Sequence, residues 1–183
     1  MEFKKIIDTE SEEFKEVWKI YESSFPDDEK RDLESQKEIM KHPSNNFYEI
    51  IEGGEIVGLF EEWDFRDFIF REHAAVREDL RNKGFGTELF KEYLKKCDGK
   101  IFVGEVEGPE EGEMAERRIG FYNRLGILLN DYRYVQPAYA PDKKPIYLLL
   151  ITYPRKITKE EFYSIRNKIH KNVYGLRKPL LEI

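Results

Sequence analysis

The chain has one cysteine and three histidines in 183 residues. The lone Cys97 excludes an internal disulfide and any metal cluster built on cysteine. His42, His73 and His170 are scattered and give no metal-ligand spacing, so no metal is expected. Long apolar runs are missing too. Ile146 to Ile151 is the longest strongly apolar stretch, far short of the roughly 20 residues that cross a bilayer. The start, Met1-Glu2-Phe3-Lys4-Lys5, lacks an apolar signal region, so the expected location is the cytoplasm, away from membranes. Positive charge is in deficit, with 31 Lys and Arg against 37 Asp and Glu, a net charge of −6. That balance argues against nucleic acid as the main partner and is compatible with a cationic, amine substrate.

What is present is a globular composition: 40% hydrophobic residues and 14% aromatics are too rich for disorder despite 37% charged residues. The length suits a single domain, residues 1–183, large enough to bury a core. Thr9-x-x-Glu12 reads as a capping box, followed by Phe14, Val17, Trp18, Tyr21 and Phe25 on one helical face. A more polar helix is expected from Arg31 to Met40, closed by His42-Pro43. Phe47 to Ile51 and Glu55 to Trp63 read as strands joined by a Gly53-Gly54 hairpin turn, and Phe68 to Val76 as the next strand.

A helix from Gly84 to Cys97 places Gly86, Leu89, Phe90, Tyr93, Leu94 and Cys97 on one face. A strand over 100–107, a helix over 114–124 ended by Gly126, and late strands over 132–136 and 145–153 follow. Thr158-x-x-Glu161 caps a last helix, about 158–173, burying Phe162, Ile165, Ile169 and Val173. Hairpins followed by a strand–helix–strand crossover define an α/β class with a mixed, mostly antiparallel sheet flanked by helices.

The segment between the third strand and the following helix carries the chemistry. It runs Val76-Arg77-Glu78-Asp79-Leu80-Arg81-Asn82-Lys83-Gly84-Phe85-Gly86-Thr87. Two glycines where a helix begins leave backbone N–H groups open, and the helix dipole favours an anion there. Arg81 and Lys83 add positive charge. On these residues alone the loop is either a pyrophosphate cradle or a plain connection. It has no third glycine for a dinucleotide fingerprint and no Gly-Lys-Ser/Thr of a P-loop.

Arg81-Asn82-Lys83-Gly84-Phe85-Gly86 resembles the acetyl-coenzyme A loop of the GNAT superfamily of N-acetyltransferases, Gln/Arg-x-x-Gly-x-Gly/Ala. Gly120-Phe121-Tyr122-Asn123-Arg124-Leu125-Gly126-Ile127 is similar to that superfamily's Phe-Tyr-x-x-x-Gly-Phe segment, at a matching interval. The resemblance covers roughly Phe47 to Thr152, leaving the C-terminal helix as an addition. It implies a GNAT-like acyl-CoA N-acyltransferase fold, acetyl-CoA as co-substrate, and direct transfer of an acetyl group to a primary amine of a small molecule or peptide. A catalytically silent CoA-binding regulatory or interaction module is the alternative, and a homodimer is left open.

The resemblance also implies site residues. Arg81, Asn82, Lys83, Gly84, Phe85, Gly86 and Thr87 would hold the pyrophosphate. The backbone of Ala74, Ala75 and Val76 would hold the pantetheine arm where two strands part, with an N–H near Ala74 facing the thioester oxygen. Tyr122 falls on the tyrosine that commonly protonates the coenzyme A sulfur; read without the family it is simply an apolar helix face. An Asn that the superfamily often has seven residues earlier is Ala115 here.

An ammonium cannot attack a thioester, so a base must take its proton. Strand alternation puts Glu72 on the face of Ala74, and Glu105 with Glu107 on one face of a later strand. His73 has the best-matched ordinary pKa but turns away from Glu72 unless a bulge intervenes. The order of candidates is Glu72, Glu105, His73, each weighed against a merely solvated group. Phe25-Pro26-Asp27-Asp28 and Gln136-Pro137-Ala138-Tyr139 are expected to line the acceptor pocket. Tyr132, Tyr134 and Tyr139 there serve either as a cation–π enclosure or as a packing cluster.

Overall fold

The computed structural model describes residues 1–97 and 99–180. The chain forms two compact units, Met1–Gly99 and Lys100–Ile183.

The first unit contains β1 (Glu2–Lys5), α1 (Glu12–Ser24), a 3-10 turn (Asp27–Glu29), α2 (Leu33–Ile39), β2 (Asn45–Glu52), β3 (Glu55–Asp64), β4 (Phe68–Val76), a second 3-10 turn (Glu78–Leu80) and α3 (Phe85–Lys95). Its strands form an antiparallel meander in chain order. Gly53 and Gly54 make the β2–β3 turn with φ of 59° and 85°. Two consecutive left-handed residues match the twist of the flanking strands, and only residues such as glycine adopt them cheaply. β1 carries one apolar residue and no sequence signal. Phe3 fixes it, with its ring 6.2, 5.9 and 5.8 Å from those of Tyr48, Phe60 and Tyr93.

α1 starts from Ser11, not Thr9: Ser11 Oγ accepts from the Phe14 N–H at 3.1 Å. The delay has a local cause. Asp8 Oδ1 accepts from the Glu10 N–H at 2.9 Å and its carbonyl accepts from Ser11 Oγ at 2.8 Å, holding 8–11 in a turn. Phe14, Val17, Ile20 and Tyr21 are buried with Ile6, Phe47 and Leu59, forming the core beneath the helix. α2 starts later than Arg31, with Asp32 as its cap.

β3 and β4 pair with Glu61 opposite His73 and Glu62 opposite Arg71. Glu72 is therefore the extra residue of a bulge, which breaks simple alternation.

The second unit contains β5 (Ile101–Val106), a 3-10 turn (Pro109–Glu111), α4 (Glu113–Arg124), β6 (Leu128–Gln136), β7 (Ile146–Tyr153) and α5 (Lys159–Asn172). β7 pairs antiparallel with both β5 and β6. β6 begins earlier than expected because Leu128 and Leu129 pair with Thr152 and Ile151 before a register shift. The buried Asn130 fills the shift, donating to the Leu150 carbonyl at 3.1 Å and Thr152 Oγ1 at 2.9 Å, and accepting from the Ile157 N–H at 3.0 Å.

α5 has the expected capping box, with Thr158 and Glu161 bonded reciprocally at 3.2 and 2.8 Å. Phe162, Ile165, Ile169 and Val173 are all buried. The chain thus has the α/β class and mostly antiparallel pairing expected, with α5 as the extra C-terminal helix. Among the described residues, no helix is long and apolar enough to cross a membrane.

Candidate active site

In the first unit, β4 leads directly into the loop singled out by the sequence. Ala74, Ala75 and Val76 pair with Phe60, Leu59 and Gly58. An antiparallel ladder uses alternate backbone groups, so the remaining N–H and C=O groups of this stretch point to its other edge. A Cβ at Gly58 would lie 2.3 Å from the Ala75 carbonyl oxygen. Only glycine lets β3 approach so closely here, which makes Gly58 part of what shapes this strand end.

Arg77 then fastens the end of β4. It donates from Nη1 to the Ile56 carbonyl at 2.9 Å and from Nε to Asp79 at 2.7 Å. Arg81 donates from Nε to the Val76 carbonyl at 3.1 Å and from Nη2 to Ser24 Oγ at 3.0 Å, tying the loop to β4 and to the end of α1. Asn82 and Gly84 are both left-handed, with φ of 63° and 90°. Residues 81–84 are exposed, and no atom lies within 4 Å of where a Gly84 Cβ would be. The chain turns sharply into α3 with open space beside its backbone. The Thr87 N–H already bonds to the Gly84 carbonyl at 2.9 Å, so the backbone N–H groups ahead of it are the ones whose position fits a pyrophosphate.

The bulge in β4 gathers a buried charged cluster. Arg31 Nη1 lies 2.6 Å from Glu72 Oε1, with the two side chains 5% and 0% exposed. Trp63 Nε1 donates to Glu72 Oε2 at 2.7 Å. Glu61 Oε1 accepts from Gln36 Nε2 at 2.7 Å and Asn45 Nδ2 at 3.0 Å, and its Oε2 lies 2.9 Å from His73 Nδ1. His73 Nε2 lies 2.9 Å from the Glu29 carbonyl oxygen.

Alternation would turn His73 away from Glu72; the bulge puts them on one side instead. Ligand atoms of Glu61, Glu72 and His73 fall within 4.8 Å of one another, a spacing that a metal ion could use. Arg31 supplies positive charge at this spot, 2.6 Å from Glu72. Burial works against charge on both members of the His73–Glu61 pair. The hydrogen bond to Glu61, the charges of Glu72 and Glu61 and the Glu29 carbonyl nevertheless raise the His73 pKa. The His73 bond and charge, with Arg31 and Asn45, hold Glu61 below the ordinary carboxylate range. The cluster fastens the 3-10 turn at 27–29 and Arg31 to β4, one residue before Ala74.

In the second unit, Tyr122 lies in the last turn of α4 and is 6% exposed. A glycine-capped helix end sets its backbone: the Ile127 N–H bonds to the Tyr122 carbonyl at 3.1 Å and the Gly126 N–H to the Asn123 carbonyl at 3.0 Å, with Gly126 at φ 78°. Glu105, half-buried on β5, faces Tyr174, whose hydroxyl lies 3.4 and 3.5 Å from its two oxygens. Glu107 lies past the strand end and pairs with Arg118 at 2.6 Å. Tyr132 stacks on Phe162 and Tyr134 is buried against His170, so these two belong to packing. Tyr139 meets Tyr174 with ring centroids 5.2 Å apart.

Sequence reasoning missed Arg31, Glu61, Gly58 and Tyr174. Arg31 was taken into a helix and Tyr174 lies beyond the resemblance. Glu61 alone carried a signal, as one of two adjacent carboxylates that follow an apolar run within a strand.

A strand, a sharp loop and a helix N-terminus in this order suit a phosphate-bearing ligand. The pattern of the acetyltransferase (GNAT) family matches residues 11–127, and the chain belongs to that family. Among solved structures, an acetyltransferase assigned to the GNAT family from Bacteroides thetaiotaomicron is similar at 30% identity and a TM-score of 0.91, over 97% of this chain and 100% of that one. The ribosomal-protein-S18-alanine N-acetyltransferase of Escherichia coli shares the fold, with 14% identity, a TM-score of 0.59, and 87% and 96% of the chains covered. So does a Bacillus subtilis acetyltransferase in complex with CoA, with 14% identity, a TM-score of 0.56, and 82% and 95% covered. No curated protein matches the sequence at a significant level.

Proposed function

We propose that this protein transfers an acetyl group from acetyl-CoA directly to a primary amine of a small molecule or peptide. The observation that carries the proposal is the loop entering α3. Left-handed Asn82 and Gly84 open the backbone of residues 81–87 to an anion, with Arg81 and Lys83 beside it. Acetyl-CoA, when bound, supplies the activated acetyl thioester. The chain's own groups do the rest. Backbone N–H groups at the start of α3 hold the pyrophosphate, while the backbone of Ala74–Val76 receives the pantetheine arm and aims an N–H at the thioester oxygen. Tyr122 donates a proton to the departing sulfur.

For the base we propose Glu105 ahead of Glu72. A base needs a lone pair within reach of the ammonium. Glu72 has no exposed side-chain surface, is ion-paired with Arg31 and accepts from Trp63. Glu105 is half-buried, with a neighbouring tyrosine hydroxyl at 3.4 Å. Glu72 then acts through Arg31, fixing the loop that follows α1.

A thiol-release screen of acetyl-CoA against a broad amine panel tests the proposal. Amine-dependent release supports it; silence across the panel together with no acetyl-CoA binding by calorimetry overturns it. Binding without turnover, unaffected by Tyr122→Phe, would instead mark a silent CoA-binding module.

A further inference from the structure

α5 and the residues after it lie outside the stretch that matches the family, residues 11–127. Tyr174, just past the end of α5, nevertheless lies against Glu105 and Tyr139. The Tyr174 hydroxyl lies 3.4 and 3.5 Å from the Glu105 oxygens and 3.5 Å from the Tyr139 hydroxyl. The Tyr139 and Tyr174 rings are 5.2 Å apart and inclined by 46°.

We propose that Tyr174, Tyr139 and Glu105 form a cation subsite for the acceptor ammonium, and that the C-terminal helix is thereby a specificity element rather than an appendage. The proposal deepens the acyl-transfer reading above and rests on it for the part Glu105 plays.

A carboxylate beside two phenol rings is the chemistry that recognises an ammonium. Strong O–H···O bonds are about 2.7 Å long, so oxygens 3.4 to 3.5 Å apart interact weakly with one another. One ammonium nitrogen can lie about 2.8 Å from both a carboxylate and a phenol oxygen at that spacing, using two of its three N–H donors. The carboxylate supplies the opposite charge. The inclined rings supply negative faces for the carbon next to the nitrogen. On reaction an N–H bond breaks, an O–H bond forms on Glu105, and the freed lone pair attacks. A neutral alcohol of the same shape has no charge for this site to recognise.

The helix that presents Tyr174 is pinned near both ends. At its start the capping box is braced by Arg155, which donates to both oxygens of Glu161 at 2.9 and 2.6 Å. Near its end the buried His170 meets the Val135 carbonyl through Nε2 at 2.9 Å and accepts the Leu180 N–H at Nδ1 at 3.2 Å. Burial is the main cause that pushes the His170 pKa down to about 4, and the two partners place the proton of the neutral ring on Nε2. The Leu176 N–H closes the end on the His170 carbonyl at 2.9 Å. Tyr174 is thus held to β6 through His170.

The test uses the whole chain labelled with ¹³C-tyrosine and titrated with n-butylammonium, with n-butanol as the uncharged counterpart. Butylammonium should shift the Tyr139 and Tyr174 ring resonances saturably, and butanol should not. Affinity should fall about threefold in Tyr174→Phe and about tenfold in Tyr174→Leu. In the acetylation assay, Tyr174→Leu should raise the KM for primary amines with kcat largely kept. Tyr139→Leu decides the matter if Tyr174→Leu does not fold. Absence of a saturable shift in the wild-type protein, or unchanged affinity in the variants, overturns the proposal. Ammonium binding with no acetyl transfer to any amine would sink the acyl-transfer reading alone. Turnover with an unchanged KM in Tyr174→Leu would sink the subsite alone.

Discussion

His73 and Glu61 form a buried histidine–carboxylate pair, with Nδ1 and Oε2 2.9 Å apart. The proton count follows from the partners. Nε2 lies 2.9 Å from the Glu29 carbonyl, which can only accept, so Nε2 carries a hydrogen. Nδ1 faces the Glu61 carboxylate, which favours a proton on that nitrogen and raises the ring's pKa. One ring thereby clamps the turn after α1 onto β4, immediately before the residues proposed to hold the pantetheine arm.

The pair predicts a pH dependence. A raised His73 pKa stabilises the fold fully below the ring's ordinary value of 6.5, and the gain is lost as pH rises through the raised value. A lowered Glu61 pKa stabilises fully above 4.5 and is lost as pH falls through the lowered value. Chemical denaturation across this range should show stability declining on the alkaline side of 6.5 in the wild type, with that decline removed in His73→Gln. An NMR titration placing His73 at its ordinary pKa would contradict the assignment.

Arg31 and Glu72 should behave as a unit. Removing one member of a buried ion pair typically costs about 3–5 kcal/mol, because the other charge is left without compensation. Arg31→Met should lose stability on that scale in urea denaturation, and Arg31→Met with Glu72→Leu should recover most of it. Additive losses in the double variant would mean that the two charges are not coupled.

The loop variants separate backbone from charge. Gly86→Val should abolish measurable CoA binding by calorimetry while the protein stays folded. Arg81→Ala should weaken binding more modestly and in a salt-dependent way. It should also lower stability by about 1 kcal/mol, because Arg81 bridges Val76 and Ser24. A folded Gly86→Val protein with normal CoA affinity would make that glycine a packing residue.

The proton chemistry divides between two measurements. Tyr122→Phe should lower kcat by about 10²-fold with CoA affinity unchanged, since the hydroxyl matters only as sulfur departs. Glu105→Gln should remove the acidic limb of the pH–rate profile. Glu72→Gln should act mainly on stability and on the KM of the amine. Reversed effects would return the base to Glu72.

Much of this molecule was legible in the sequence because its signals are local. The Gly53-Gly54 turn, the Thr158–Glu161 capping box and the strand ending at Val76 each depend on a few neighbouring residues. What stayed hidden depends on partners far along the chain. Thr9 looked like a cap until the turn built by Asp8 shifted the start of α1 to Ser11. Glu72 and His73 looked opposed because alternation assumes an unbroken ladder, and the extra residue opposite Glu61 and Glu62 breaks it. Arg31 read as the start of a helix, though its partner is forty-one residues away. Tyr174 lay outside both motifs, and only the packing of α5 brings it to Glu105.

The central claim is that the backbone of residues 81–87 binds the pyrophosphate of an acyl-CoA. The most direct measurement follows the backbone amide resonances of the whole chain during titration with coenzyme A. Saturable shifts of the Asn82 to Thr87 amides, reproduced by adenosine 3′,5′-bisphosphate only in part and lost in Gly86→Val, are the predicted result. Saturation elsewhere in the chain with these amides unmoved, or no shifts at millimolar coenzyme A, would contradict the claim.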